Sequence, residues 1–207
     1  MGLTVVDHPL VAHLVTELRD RTTPPHQFRS LTKRLTFALV LEAVRDFTPE
    51  PREVETPLET TPGWSMPDNV VAVPILRAGL GMLEAVVDLL PEVSVGYIGL
   101  ERDHATLEPS SYYEKLPPVE ARRVLLLDPM LATGGSASRA VASIRARGAD
   151  DVRLVCIVAA PAGVERIERD HPGVRVFSAA LDRELNDVGY ILPGLGDFGD
   201  RLYGTEP

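Results

Sequence analysis

From about residue 70 onward, apolar runs of strand length alternate along this chain with segments of helical period. Residues 70–76, 93–100, 124–127, 152–159 and 174–179 read as strands, and 79–90, 136–147 and 164–170 read as helices. The 124–127 run has no polar alternation, as expected of a strand buried on both faces of a parallel sheet. This order predicts an α/β fold, a mainly parallel central sheet flanked by helices. Gly148 is a natural stop for the 136–147 helix.

The N-terminal third follows a different rhythm. Leu10, Val11, Leu14, Val15 and Leu18 recur at helical spacing, and Phe28, Leu31, Leu35, Leu39 and Val40 predict a longer helix after Pro24-Pro25. These helices carry no obvious chemistry. Prolines and acids over 48–62 predict an extended flap or loop. We therefore expect one domain over 1–207, divided into N-terminal helices and flap (1–69), an α/β core (70–180) and a C-terminal segment (181–207).

Composition narrows the class. A chain of 207 residues buries a sizeable core without staples, and its one cysteine, Cys156, lies in the apolar run 154–158, where packing is expected. No apolar run approaches the roughly 20 residues of a membrane span, and no secretory leader is visible, so a cytoplasmic protein without membrane contact is expected. The net charge of −9 argues against a broad nucleic-acid surface, although a few focused arginines still suit a small anion.

Chemistry concentrates at 123–136, where an apolar strand meets Asp128 and then a small-residue loop that opens a helix. Asp128 falls at the carboxyl edge of the sheet, where open α/β sheets bind ligands. Thr133, Gly134, Gly135 and Ser136 offer closely spaced backbone N–H groups, and the helix adds its positive dipole end. Taken alone, such a turn is more often a capped helix entry. A nucleotide-triphosphate loop is excluded, because this loop contains no lysine.

Arg77 follows the 70–76 strand and Arg102 follows the 93–100 strand, so both emerge at that same edge, where a guanidinium fork suits diphosphate oxygens. The segment after Arg102, with Asp103, His104, Glu108, Tyr112, Tyr113 and Lys115, has the length and polarity of a lid. Gly194 to Gly199 formally fits a dinucleotide fingerprint, but no buried strand leads into it and only eight residues follow. What remains is a glycine-rich loop with exposed main-chain donors and acceptors. The five histidines are scattered without metal-ligand spacing.

The joint run Leu126 to Ser136 resembles the phosphoribosyl-diphosphate (PRPP) motif of type I phosphoribosyltransferases, in the form found in uracil phosphoribosyltransferases. Pro74 to Met82, Leu107-Glu108-Pro109 and Tyr190 to Asp200 are similar to the same family, in family order, and Asp7 to Val11 matches more weakly. The resemblance implies transfer of a phosphoribosyl group from PRPP to uracil, giving UMP and diphosphate in pyrimidine salvage. It places PRPP on Arg77, Arg102, Asp128, Pro129, Met130, Leu131, Ala132, Thr133, Gly134, Gly135, Ser136 and Asp197. Uracil falls to Ile191, Gly196, Asp197 and Phe198, and the catalytic roles fall to Asp128, Asp197 and Arg102.

The resemblance also implies Mg²⁺ carried mainly by PRPP, a flexible arm, a homo-oligomer of two or more subunits and GTP as a candidate effector. One departure stands out: many type I enzymes carry two adjacent acids where this chain has Asp128-Pro129. A PRPP-sensing RNA-binding regulator on the same fold is the alternative, and the acidic balance counts against it. A purine enzyme would carry a different base loop.

Overall fold

The computed structural model describes residues 2–102 and 109–205, with positions 101, 102 and 109–111 described by backbone alone. Asp103, His104, Leu107 and Glu108 of the expected lid lie outside the described residues. The chain opens with β1 (Leu3–Val5), α1 (Pro9–Arg19) and α2 (Pro25–Ala43), followed by an antiparallel hairpin, β2 (Glu50–Glu55) and β3 (Thr60–Ser65). The core runs through β4 (Val70–Leu76), α3 (Leu80–Leu89), β5 (Ser94–Val95), β6 (Tyr97–Arg102) and β7 (Pro109–Lys115). It continues with β8 (Arg123–Leu127), β9 (Met130–Leu131), α4 (Gly135–Ala146), β10 (Asp151–Ala159), α5 (Pro161–Asp170) and β11 (Arg175–Leu181). A small pair, β12 (Glu184–Leu185) and β13 (Ile191–Leu192), and the short α6 (Phe198–Tyr203) complete it.

The central sheet has the order β1-β11-β10-β8-β4-β6-β7, with β5 on β4 and β9 on β10. Every pairing in it is parallel except β6 with β7. Side chains of a strand alternate between faces, and both faces here are covered. Leu125 and Leu127 enter one apolar cluster with Leu35, Leu39 and Met82 of α2 and α3, whereas Val124 and Leu126 enter the other with Ala140, Ile144 and Ile167 of α4 and α5. Polar alternation is absent from β8 for this reason.

The expected α/β core is thus present, with shifted edges. The 93–100 strand divides at Gly96 into β5 and β6, and β6 extends to Arg102. The 48–62 flap is a regular hairpin, and part of the expected lid is β7, paired with β6 in the register Arg102 to Pro109. Cys156 is fully buried, and that burial pushes its thiol up to about 12, which leaves it inert.

Candidate active site

The phosphate loop is built onto the end of β8. Asp128 follows Leu127, and its N–H donates to the Val155 carbonyl at 3.2 Å. The Pro129 carbonyl accepts from the N–H groups of Ile157 (2.9 Å) and Val158 (3.1 Å), and the Leu131 carbonyl accepts from Ala160 (2.9 Å). Met130 and Leu131 pair with Val158 and Ala159 as β9. The loop is therefore stitched to β10 along its first half.

Its second half turns on Gly134, which adopts φ +74° and precedes α4. A Cβ at Gly134 would lie 3.0 Å from the Gly163 carbonyl oxygen, and one at Gly163 would lie 2.6 Å from the Ala132 carbonyl oxygen, so two glycines let α5 close against the loop. No side chain caps α4, and its first turn holds no acid. A capped helix entry would have used those N–H groups internally. Here they have no side-chain partner among the described residues, and the dipole end favours an anion.

Asp128, directly after β8, is only partly exposed. Burial pushes its carboxyl up to about 7, against the partial relief of a hydrogen bond from the Met130 backbone. The Arg77 turn stands beside it. The Leu76–Arg77 peptide is cis, the Arg77 side chain is exposed, and the Arg77 carbonyl accepts from the Tyr203 hydroxyl at 3.1 Å. Burial raises the Tyr203 phenol, and the Arg77 charge offsets part of that rise. Arg102 is the last residue of β6, two strands away from Asp128 in the sheet order, and its side chain is outside the described residues.

A cavity of about 360 Å³ joins the phosphate loop to the C-terminal loop. It is lined by Met130 and Ala132 on one side and by Ile191, Gly196, Asp197 and Phe198 on the other. All four residues assigned to uracil from the sequence, of which Asp197 is also assigned to PRPP, thus line one space with two further residues assigned to PRPP. Asp128, Pro129, Leu131 and Thr133 to Ser136 are joined to it through the chain, while Arg77 is not among its described lining residues. Asp197 caps α6, accepting from the Asp200 N–H at 3.0 Å, and Phe198 packs edge-on against Phe28 of α2 with centroids 5.1 Å apart.

Sequence reasoning missed the third wall, Val188, Gly189 and Tyr190. Asn186 shapes it: its Oδ1 accepts from Val188 (3.1 Å) and Tyr190 (2.8 Å), and Gly189 takes φ +85°. Asn and Gly at that spacing are the turn signal that marks it. Two arginines were missed as well. Arg19 of α1 donates to the Gly194 carbonyl at 2.7 Å and pairs with Asp182, while Arg201 of α6 donates to the carbonyls of Leu18 and Leu195, each at 2.7 Å. The Arg201 guanidinium also sits 4.6 Å from the Phe28 ring centroid. The N-terminal helices therefore hold the C-terminal loop in place.

Comparison with known proteins agrees with this geometry. The family model described as uracil phosphoribosyltransferase matches residues 5–205. The uracil phosphoribosyltransferase of Thermus thermophilus is 51% identical over 208 residues, covering 100% of both chains. The solved structure of the AQ2163 protein from Aquifex aeolicus superposes with a TM-score of 0.93 at 40% identity over 99% of each chain. The orotate phosphoribosyltransferase of Mycobacterium tuberculosis, solved with PRPP, is 20% identical with a TM-score of 0.51 over 85% of this chain and 91% of its own, a likeness of fold alone. With the family match running through both the 128–136 loop and the C-terminal 190–200 loop, this chain belongs to the uracil phosphoribosyltransferase family.

Proposed function

We propose that this protein transfers the phosphoribosyl group of PRPP to N1 of uracil, releasing diphosphate and forming UMP. The observation that carries the reading is the single cavity shared by Met130 and Ala132 of the phosphate loop with Ile191, Gly196, Asp197 and Phe198. It would bring a base to the ribose that this loop holds.

In this reading the backbone N–H groups of Thr133 to Ser136 and the dipole end of α4 hold the 5-phosphate, with Pro129, Met130, Leu131 and Ala132 shaping the approach. Arg77 and Arg102 bind the diphosphate. Uracil attacks the ribose C1 as diphosphate leaves, so no covalent protein residue is needed. Asp128 holds the ribose hydroxyls and, when ionised, stabilises the positive charge that develops on the ring. Main-chain groups near Ile191 and Gly196 to Phe198 read the base, and Asp197 orients uracil against PRPP.

Asp128 offers one hard carboxylate directly after β8, and among the described residues no group of three or more His, Cys, Asp or Glu side chains is arranged to hold a metal ion. That donor set suits Mg²⁺ carried by PRPP, with Asp128 near its ribose end. Bound there, the ion would neutralise diphosphate charge.

The proposal treats 1–207 as one functional unit in which 70–180 holds PRPP, 181–207 holds uracil and 1–69 supports both. It extends to pyrimidine salvage in the cytoplasm, a homo-oligomer and a response to GTP, each resting on the family. The test is diphosphate release with PRPP, Mg²⁺ and a panel of bases. Turnover with uracil is expected; turnover with hypoxanthine or orotate in its place would overturn the reading.

A further inference from the structure

We propose that Arg19 and Asp182 are a positioning pair that sets the uracil loop from beneath, so that α1 controls base affinity without touching the base. The inference rests on the assignment of 191–198 to uracil.

Asp182 directly follows β11, and its N–H is fixed to the Ala159 carbonyl of β10 at 2.8 Å. Its side chain is 5% exposed. The carboxylate accepts the Gly194 N–H at 2.8 Å, and it accepts Arg19 Nη1 and Nη2 at 2.8 and 2.5 Å. Arg19 Nη1 donates a second bond to the Gly194 carbonyl at 2.7 Å. Both main-chain polar groups of Gly194 are therefore held by one ion pair.

Gly194 is a poor place for slack. It adopts φ +60°, and a Cβ there would overlap the Ile191 carbonyl oxygen. Ile191 lies three residues before it and Gly196 two residues after, and both line the base cavity. Arg19 itself is anchored by the buried face of α1, formed by Val11, Leu14, Val15 and Leu18. An ion pair serving only stability needs no third partner, whereas both members of this pair converge on one residue, holding the two peptide units on either side of its Cα. Nη1 alone spans the carboxylate and the carbonyl, and the guanidinium fork adds a second, bidentate hold on the carboxylate through Nη2 that an ammonium does not reproduce. Small displacements of a positioned group are costly because binding and reaction geometry tolerate little error.

The test compares Arg19→Ala, Arg19→Lys and Asp182→Asn by steady-state kinetics, varying each substrate with the other saturating, alongside melting temperatures. Arg29→Ala is the control, because Arg29 ties α2 to the Leu202 carbonyl at 2.8 Å without touching the loop that lines the cavity. Arg19→Ala and Asp182→Asn should raise the uracil KM about tenfold while the PRPP KM stays within about twofold, with Arg19→Lys intermediate. Arg29→Ala should lower the melting temperature and leave the uracil KM alone. A merely structural pair would reduce the active fraction, so kcat would fall with both KM values constant, and that result overturns the proposal. An equal rise in both KM values overturns it too. If Arg19→Ala fails to fold, the better-preserved side-chain volumes of Arg19→Lys and Asp182→Asn carry the test. Gly196→Ala separates this inference from the reading beneath it. If Gly196→Ala raises the uracil KM and the pair variants do not, the positioning role fails alone; if Gly196→Ala also leaves it unchanged, the base-loop assignment fails and the positioning role falls with it.

Discussion

Gly79 and Leu127 meet where two strand ends converge: a Cβ on Gly79 would overlap the Leu127 carbonyl oxygen, and it would stand 2.8 Å from the Ile75 carbonyl oxygen as well. The Arg77 turn thereby rests directly on the residue before Asp128. Backbone atoms on both sides leave nothing flexible to give way.

Gly79→Ala should therefore cost about 2–3 kcal/mol, the upper part of the usual range for overpacking, and should displace Arg77 from the cleft. Thermal unfolding and the PRPP KM report the two effects. A variant with wild-type melting and wild-type PRPP KM would show that the turn relaxes freely.

Asp128→Asn should lower kcat by about 10²-fold or more while the fold survives, since the lost charge is needed mainly as the transition state forms. Near-wild-type kcat would remove Asp128 from its assigned role.

The same residue gives a stability prediction with a definite sign. Burial lifts its carboxyl from 3.8 to about 7, so between those values the unfolded chain has released a proton that the folded protein retains. Stability from this group is full below the lower value and is lost as pH rises through the upper one. Asp128→Asn escapes that loss. After discounting for solvent at a partly exposed site, the ligand-free variant should gain about 1 kcal/mol over the parent at pH 8 and less at pH 5. A difference in melting temperature that does not change with pH would contradict the assignment.

The raised carboxyl should also govern activity. If the carboxylate form is required, kcat/KM for PRPP should fall about tenfold per pH unit below about pH 7, and Asp128→Asn should flatten that limb. A limb that survives in the variant belongs to another group.

Choice of base tests the C-terminal loop. Cytosine presents an acceptor where uracil has N3–H and an amino group where uracil has O4, two mismatches at about 1–3 kcal/mol each. Discrimination of roughly 10⁴ is within reach of such sites. The small substituent of 5-fluorouracil disturbs neither bond, so it should be used well. Comparable kcat/KM for cytosine and uracil would show that main-chain groups there do not read the base.

The α/β core was legible because its strands are buried on both faces, so 70–76, 124–127 and 154–159 stand out as unbroken apolar runs. The strand, loop and helix arrangement around 128–136 was legible because its residues are consecutive. The hairpin of β2 and β3 was not, since its strands are largely exposed and carry prolines that mask the strand signal. The buttress of the base loop left no local mark at all: Arg19 and Asp182 are 163 positions apart, and each alone reads as an ordinary charged residue. Contacts of that separation follow from the sheet order, which brings β11 beside β10 and lays α1 against β11.

The stitching of Pro129 to Leu131 onto β10 has a thermodynamic consequence. Conformational freedom in that stretch is lost during folding, so substrate binding need not freeze it again. PRPP affinity then depends on contacts and desolvation more than on ordering the loop, and hydrogen exchange at Ile157, Val158 and Ala160, whose amides hold the loop, should be slow with or without substrate.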